Sequence, residues 1–142
     1  MDIKEALVAA SIFSRLSQGS LEALSRAART RSFAAGELLA VEDEEAQTFF
    51  VLMSGEAEVV KRKKSGGEVK LGHFKKGDFF GEMALLDGFP RSASVRAVTD
   101  CEAAVIVRWD FLGTIRAHPE VALDILKVLS SRLRNAERPL VP

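Results

Sequence analysis

At 142 residues, 47% hydrophobic and 28% charged, the chain is long enough for one packed domain without staples and has an ordinary globular composition. Lys plus Arg number 20 and Asp plus Glu 20, so the formal net charge is +0 and the totals lack the basic excess of a protein that grips nucleic-acid phosphates. A single cysteine excludes an intrachain disulfide, no stretch is long and apolar enough to span a bilayer, and the N-terminus lacks a secretory pattern, so a cytoplasmic protein is expected.

In chain order, residues 1–29 read as helical. Leu7, Ile12, Phe13, Leu16, Leu21 and Leu24 recur at helix-like spacing. Gly19-Ser20 is expected to break this stretch, with Ser20 as N-cap of a second helix from Leu21. From 30 to 107 short apolar runs alternate with turn residues. Strands are expected at 31–33, 38–41, 48–53, 57–63, 69–74, 94–98 and 102–107. Gly55 reads as a tight hairpin, and Gly66-Gly67 closes another whose tip carries Lys61, Arg62, Lys63 and Lys64. Cys101 is expected in the core. The acidic run Val41-Glu42-Asp43-Glu44-Glu45 reads as a solvated turn, a docking surface for a basic partner being the alternative.

Helix returns at 109–117, where Trp109 is expected to pack against the β section with its N–H bonded. A longer helix starts at His118-Pro119-Glu120 and should end by Pro139. Its apolar stripe is Val121, Ile125, Leu129 and Leu133, widened by Ala122, Leu126 and Val128. The fold class is therefore mainly β with flanking helices: a β-roll or jelly roll with N-terminal helices, a short helix within the roll and a long C-terminal helix.

One run concentrates the chemistry: Phe79-Phe80-Gly81-Glu82-Met83-Ala84-Leu85-Leu86-Asp87-Gly88-Phe89-Pro90-Arg91-Ser92-Ala93-Ser94-Val95. Gly81 permits close backbone approach, and a short helix over 82–86 would present free N–H groups to an anion. Arg91 supplies a permanent charge with paired donors suited to phosphate oxygens, and the Glu82 carboxylate can accept a hydroxyl hydrogen. Singly these residues mean little: Gly-Glu is a common turn pair and a lone arginine is usually solvated. In this order they suit a phosphate ester of a sugar.

The run closely resembles the phosphate-binding cassette of cyclic nucleotide-binding domains, the family of the catabolite activator protein and the regulatory subunit of the cyclic-AMP-dependent kinase. The helical lead-in over 11–28 resembles the same family, and the resemblance covers nearly the whole chain. It implies a single domain over 1–142, with N-terminal helices at 1–29, a roll at 30–107 holding the cassette at 79–95, and C-terminal helices at 109–138. It also implies that Phe80, Gly81, Glu82, Met83, Ala84, Arg91, Ser92 and Ala93 bind the ligand. The N–H groups of Met83 and Ala84 would face the phosphate, Glu82 would take the ribose 2′-hydroxyl, Ser92 would reach phosphate or base, and the Ala93 N–H would add a phosphate bond.

In the family the last helix covers the base, which makes Leu129, Leu133, Asn135 and Ala136 the lid candidates here. No aromatic residue lies between 127 and 137, so this helix offers no stacking lid. Ser92 is compatible with cyclic AMP and does not exclude cyclic GMP. Near 42–45 the family usually has a Gly-Asp turn, which this chain lacks.

The expected function is a cyclic nucleotide sensor, for cyclic AMP first, that signals through its last helix to a protein partner and forms a homodimer through that helix. The alternatives are the sensing part of a DNA-binding regulator, for which no helix-turn-helix fits before Pro142, and a scaffold with a dead pocket. No enzyme activity, cofactor, metal, membrane or nucleic-acid contact is expected. His73 and His118 are too isolated for a metal site.

Overall fold

A computed structural model describes residues 1–45, 47–88 and 90–137, and of Met83 and Ala84 the backbone only. Helices α1 (Ile3–Ala9) and α2 (Gln18–Ala27) lead, joined through a single 3₁₀ turn at Ser11–Phe13. Eight strands follow: β1 (Arg29–Phe33), β2 (Leu38–Ala40), β3 (Thr48–Ser54), β4 (Ala57–Arg62), β5 (Glu68–Phe74), β6 (Phe79–Phe80), β7 (Ser94–Ala97) and β8 (Cys101–Val107). Helix α3 (Glu82–Asp87) sits between β6 and β7, and α4 (Arg108–Ala117) and α5 (Glu120–Glu137) close the order. The strands pair antiparallel in two sheets, β1-β8-β3-β6 and β2-β7-β4-β5, forming the expected roll with flanking helices. All seven expected strands are present, each within two residues at its ends. The short β6 is an addition.

Strand β3 explains why Thr48–Ser54 is apolar without alternation. Phe49, Val51 and Met53 face the helices, against Leu7, Phe13, Phe111 and Ile125, while Phe50 and Leu52 face the roll interior with Phe33, Phe80 and Val105. A strand covered on both faces needs no polar side. Cys101 lies in the interior cluster, as expected.

Four expectations are corrected. Gly19 and Ser20 lie inside α2, and the N-cap is Ser17, whose Oγ accepts from the Ser20 N–H at 3.1 Å. The residue expected to cap is itself capped, because Ser17 already holds the extended backbone that a cap requires. Gly55 does not close a hairpin: β3 and β4 belong to different sheets, and Gly55 turns the chain from one to the other. Trp109 is 64% exposed, since Phe111, two residues or about 200° further round α4, faces the core. On α5 the buried face is Val121, Asp124, Ile125 and Val128, with Leu129 partly buried, whereas Leu126 and Leu133 point to solvent. The expected end of this helix at Pro139 lies outside the described residues.

Helix α5 is tied to the N-terminal segment by polar contacts as well. Asp124, nearly buried, accepts from the Ser17 N–H at 3.0 Å, and Arg132 Nη2 donates to Ser11 Oγ at 2.5 Å. The Ser17 hydrogen bond is the main reason that the Asp124 carboxyl is held below the ordinary aspartate range.

Candidate ligand-binding site

Pairing of Phe80 with Phe50 places Gly81 just beyond the edge of the first sheet. Its φ is +86°, and a Cβ there would stand 2.7 Å from the Thr48 carbonyl oxygen and 3.2 Å from Arg91 Nη1. Only glycine fits both the conformation and the space. Helix α3 begins at the next residue, so Met83 and Ala84 lie in a first turn whose N–H groups lack helical partners.

Arg91 reaches the same point from the other side. Its Nη2 donates to the Thr48 carbonyl at 2.6 Å, and its guanidinium carbon lies 5.7 Å from the centre of the Phe50 ring. Burial pushes its pKa down, although a guanidinium remains charged at any ordinary pH. Among the described residues no carboxylate pairs with it, whereas Arg62 and Arg96 on the same roll both have acidic partners.

The backbone of Arg91 is held by the acidic turn. Its N–H donates to the Glu44 carbonyl at 3.0 Å, and its carbonyl accepts from the Asp43 N–H at 2.9 Å. The solvated-turn expectation thus needs correcting for Glu42, whose side chain is 11% exposed and accepts from the Arg62 N–H at 3.0 Å. Asp43 is solvated and holds φ +67°, the only non-glycine in the left-handed region among the described residues. It stands in the turn where the resembled family usually has a Gly-Asp pair. Asp43→Gly should therefore raise stability by about 0.5 kcal/mol, the left-handed cost removed less the added freedom of glycine in the unfolded chain. The exposed Arg62–Asp43 ion pair it forfeits contributes little. Urea unfolding of the two proteins side by side measures the difference.

Between Arg91 and the second sheet lies a cleft of 440 Å³. Val59, Phe74, Phe80, Pro90 and Val95 form an apolar wall, and Gly81, Asp87, Arg91, Ser92 and Ala93 form the polar end, where Asp87 is engaged in an interaction of its own. The wall is stiff: Phe80 stacks on Phe74 at 5.0 Å and on Phe50 at 4.7 Å. A cation and free amides at one end with a flat apolar wall beside them suit a small anion carrying an apolar ring. Of the sequence-derived residues, Phe80, Gly81, Arg91, Ser92 and Ala93 converge here. Glu82 opens α3 alongside, but its side chain does not line the cleft. Leu129, Leu133, Asn135 and Ala136 do not line it either. Sequence reasoning missed Val59 and Phe74, whose only signal was their inward position on facing strands, and the Thr48 carbonyl, which carries none.

A larger cavity of 580 Å³ lies on the outer face of the second sheet, beneath the acidic turn. Its charges are already matched, Arg96 with Glu58 at 2.7 Å and Glu68 at 2.9 Å, and Arg62 with Asp43 at 3.1 Å. Among the described residues it therefore offers an anion no free cation.

Residues 30–118 match the family model described as the cyclic nucleotide-binding domain. The chain is 40% identical over 95 residues to a cAMP-dependent protein kinase regulatory subunit of Hypocrea atroviridis, covering 67% of this chain and 20% of that protein. It is 28% identical over 136 residues to a CRP-like cAMP-activated global transcriptional regulator of Mycobacterium tuberculosis, covering 96% of this chain and 61% of that protein. The chain thus spans only part of the length of either relative. The fold is shared with the N-terminal domain of a transcriptional regulator from Streptomyces coelicolor A3(2), at a TM-score of 0.86 and 23% identity over 96% of both chains. With its glycine, its short helix and its arginine set around one cleft, this chain belongs to the cyclic nucleotide-binding domain family.

Proposed function

We propose that this chain is a cytoplasmic sensor of a cyclic nucleotide, cyclic AMP in first place and cyclic GMP second, which passes the signal through α5 to a protein partner. The observation that carries the reading is the partly buried Arg91 guanidinium, which faces the cleft and has no carboxylate partner among the described residues. A desolvated cation left without a counter-charge is costly, and a bound cyclic phosphate supplies one. Gly81 and the first turn of α3 border the phosphate end, Val59 and Phe74 offer the base and ribose an apolar wall, and Glu82 turns toward the 2′-hydroxyl when ligand arrives. The two relatives, a cAMP-dependent protein kinase regulatory subunit and a cAMP-activated transcriptional regulator, support the choice of base.

Helix α5 rests on α2 and the 3₁₀ turn, with the lid candidates away from the cleft. Covering the base requires α5 to shift or a second copy to supply the lid. Leu123, Leu126 and Leu133 are exposed on α5 with separations of 3 and 7, the a/d pattern of a helix pair, which favours a homodimer. Sedimentation equilibrium should give a dimer that Leu126→Lys with Leu133→Lys converts to monomer; a wild-type monomer at all concentrations contradicts this.

The second reading, the ligand-sensing part of a transcription regulator, is favoured by the match to the mycobacterial regulator along 96% of the chain. Both readings share the site. Competition titration of a fluorescent cyclic nucleotide tests it: cyclic AMP should displace the probe, and adenosine, which lacks the phosphate, should not. Displacement by adenosine as readily as by cyclic AMP would contradict a site built on Arg91.

A further inference from the structure

We infer that Lys61, on the β4–β5 hairpin, is a positioning residue that aims a backbone N–H of the cassette at the ligand phosphate. The lysine leaves the basic hairpin tip and reaches across to the segment that carries Arg91. Its Nζ donates to the Ser92 carbonyl oxygen at 2.6 Å, and stands 4.0 Å from Glu42 Oε2. Glu42 is itself fixed, since its Oε1 accepts from the Arg62 N–H at 3.0 Å and its own N–H donates to Ser94 Oγ at 2.8 Å. The ammonium is thus held in place between a mostly buried carboxylate and one peptide oxygen.

That peptide is the link between Ser92 and Ala93. It is trans and planar, so its C=O and N–H point in opposite directions. Gripping the Ser92 oxygen from outside therefore fixes where the Ala93 N–H points. Ala93 lines the cleft beside Arg91, and among the described residues no acceptor meets its N–H. An exposed loop peptide could otherwise rotate at little cost, and the donor would be lost to solvent. A cation on the oxygen also polarises the amide and strengthens its N–H as a donor to an anion. Lys61 acts on the phosphate through this peptide and does not line the cleft itself. Among the described residues, the other three basic residues of the hairpin tip make no such contact with the cassette.

The inference rests on the cyclic nucleotide reading. Cyclic AMP is titrated into nucleotide-free wild type, Lys61→Met and Lys61→Arg, and the Ala93 amide is followed by ¹H–¹⁵N NMR. Lys61→Met should weaken binding about tenfold, the scale of one charge-assisted hydrogen bond. Its Ala93 amide proton should move upfield in the complex, and Lys61→Arg should restore both affinity and shift. The lysine side chain is 46% exposed, so the melting temperature should stay within about 2 °C of wild type. Wild-type affinity and an unmoved Ala93 amide in Lys61→Met would overturn the role of Lys61 while leaving the site intact. Weakened binding with a matching loss of melting temperature and an unmoved amide would make Lys61 merely structural and overturn it too. Absence of binding by the wild type would overturn the cyclic nucleotide reading and this inference together.

Discussion

Arg91→Ala should weaken cyclic AMP binding roughly thirty- to several-thousand-fold. A buried phosphate stripped of its arginine loses about 2–5 kcal/mol, and each 1.4 kcal/mol is about a factor of ten. The free protein should hardly notice. There the guanidinium makes one hydrogen bond to Thr48 and a contact with Phe50, set against the cost of its own desolvation. The melting temperature should stay within about 3 °C of wild type. Arg91→Lys keeps the charge without the paired donors and should fall between the two. Equal affinities for wild type and Arg91→Ala would remove the phosphate contact from the site.

Gly55→Ala should cost about 2–4 kcal/mol of stability, the sum of left-handed strain and overpacking. The residue holds φ +84°, and an added Cβ would stand 2.3 Å from the Asp100 carbonyl oxygen and 2.8 Å from Cys101 Sγ. Both neighbours belong to the segment that starts β8, which pairs with β1 and β3. The backbone cannot yield there without disturbing the centre of the first sheet. Thermal unfolding should show a midpoint lowered by roughly 10 °C. An unchanged midpoint would mean that the crossing between sheets tolerates a side chain, contrary to the packing described.

Much of this was legible because local chemistry and global fold agree. Strand β3 announced itself as an apolar run bounded by Thr48 and Ser54. The glycine, short helix and arginine of the candidate site were legible because they follow each other within one short stretch of chain. What stayed hidden was decided by parts of the chain far apart in sequence. A strand pattern gives the period but not the sheet, so Gly55 read as a hairpin although it joins two sheets. Helix α5 carries apolar residues on more than one face, and only docking on the 3₁₀ turn, α2 and α4 selects Val121, Ile125 and Val128 over Leu126 and Leu133. Thr48 holds Arg91 with a backbone carbonyl, a group every residue has. The clasp of Lys61 on Ser92 spans 31 residues and two strands.

The most direct measurement is calorimetric titration of cyclic AMP into nucleotide-free protein, with Arg91→Ala beside it. Sensing of cyclic AMP requires micromolar or tighter binding by the wild type, collapsing in the variant while both remain folded. A folded wild type that gives no heat with cyclic AMP or cyclic GMP, and does not displace a fluorescent analogue of either, would contradict it.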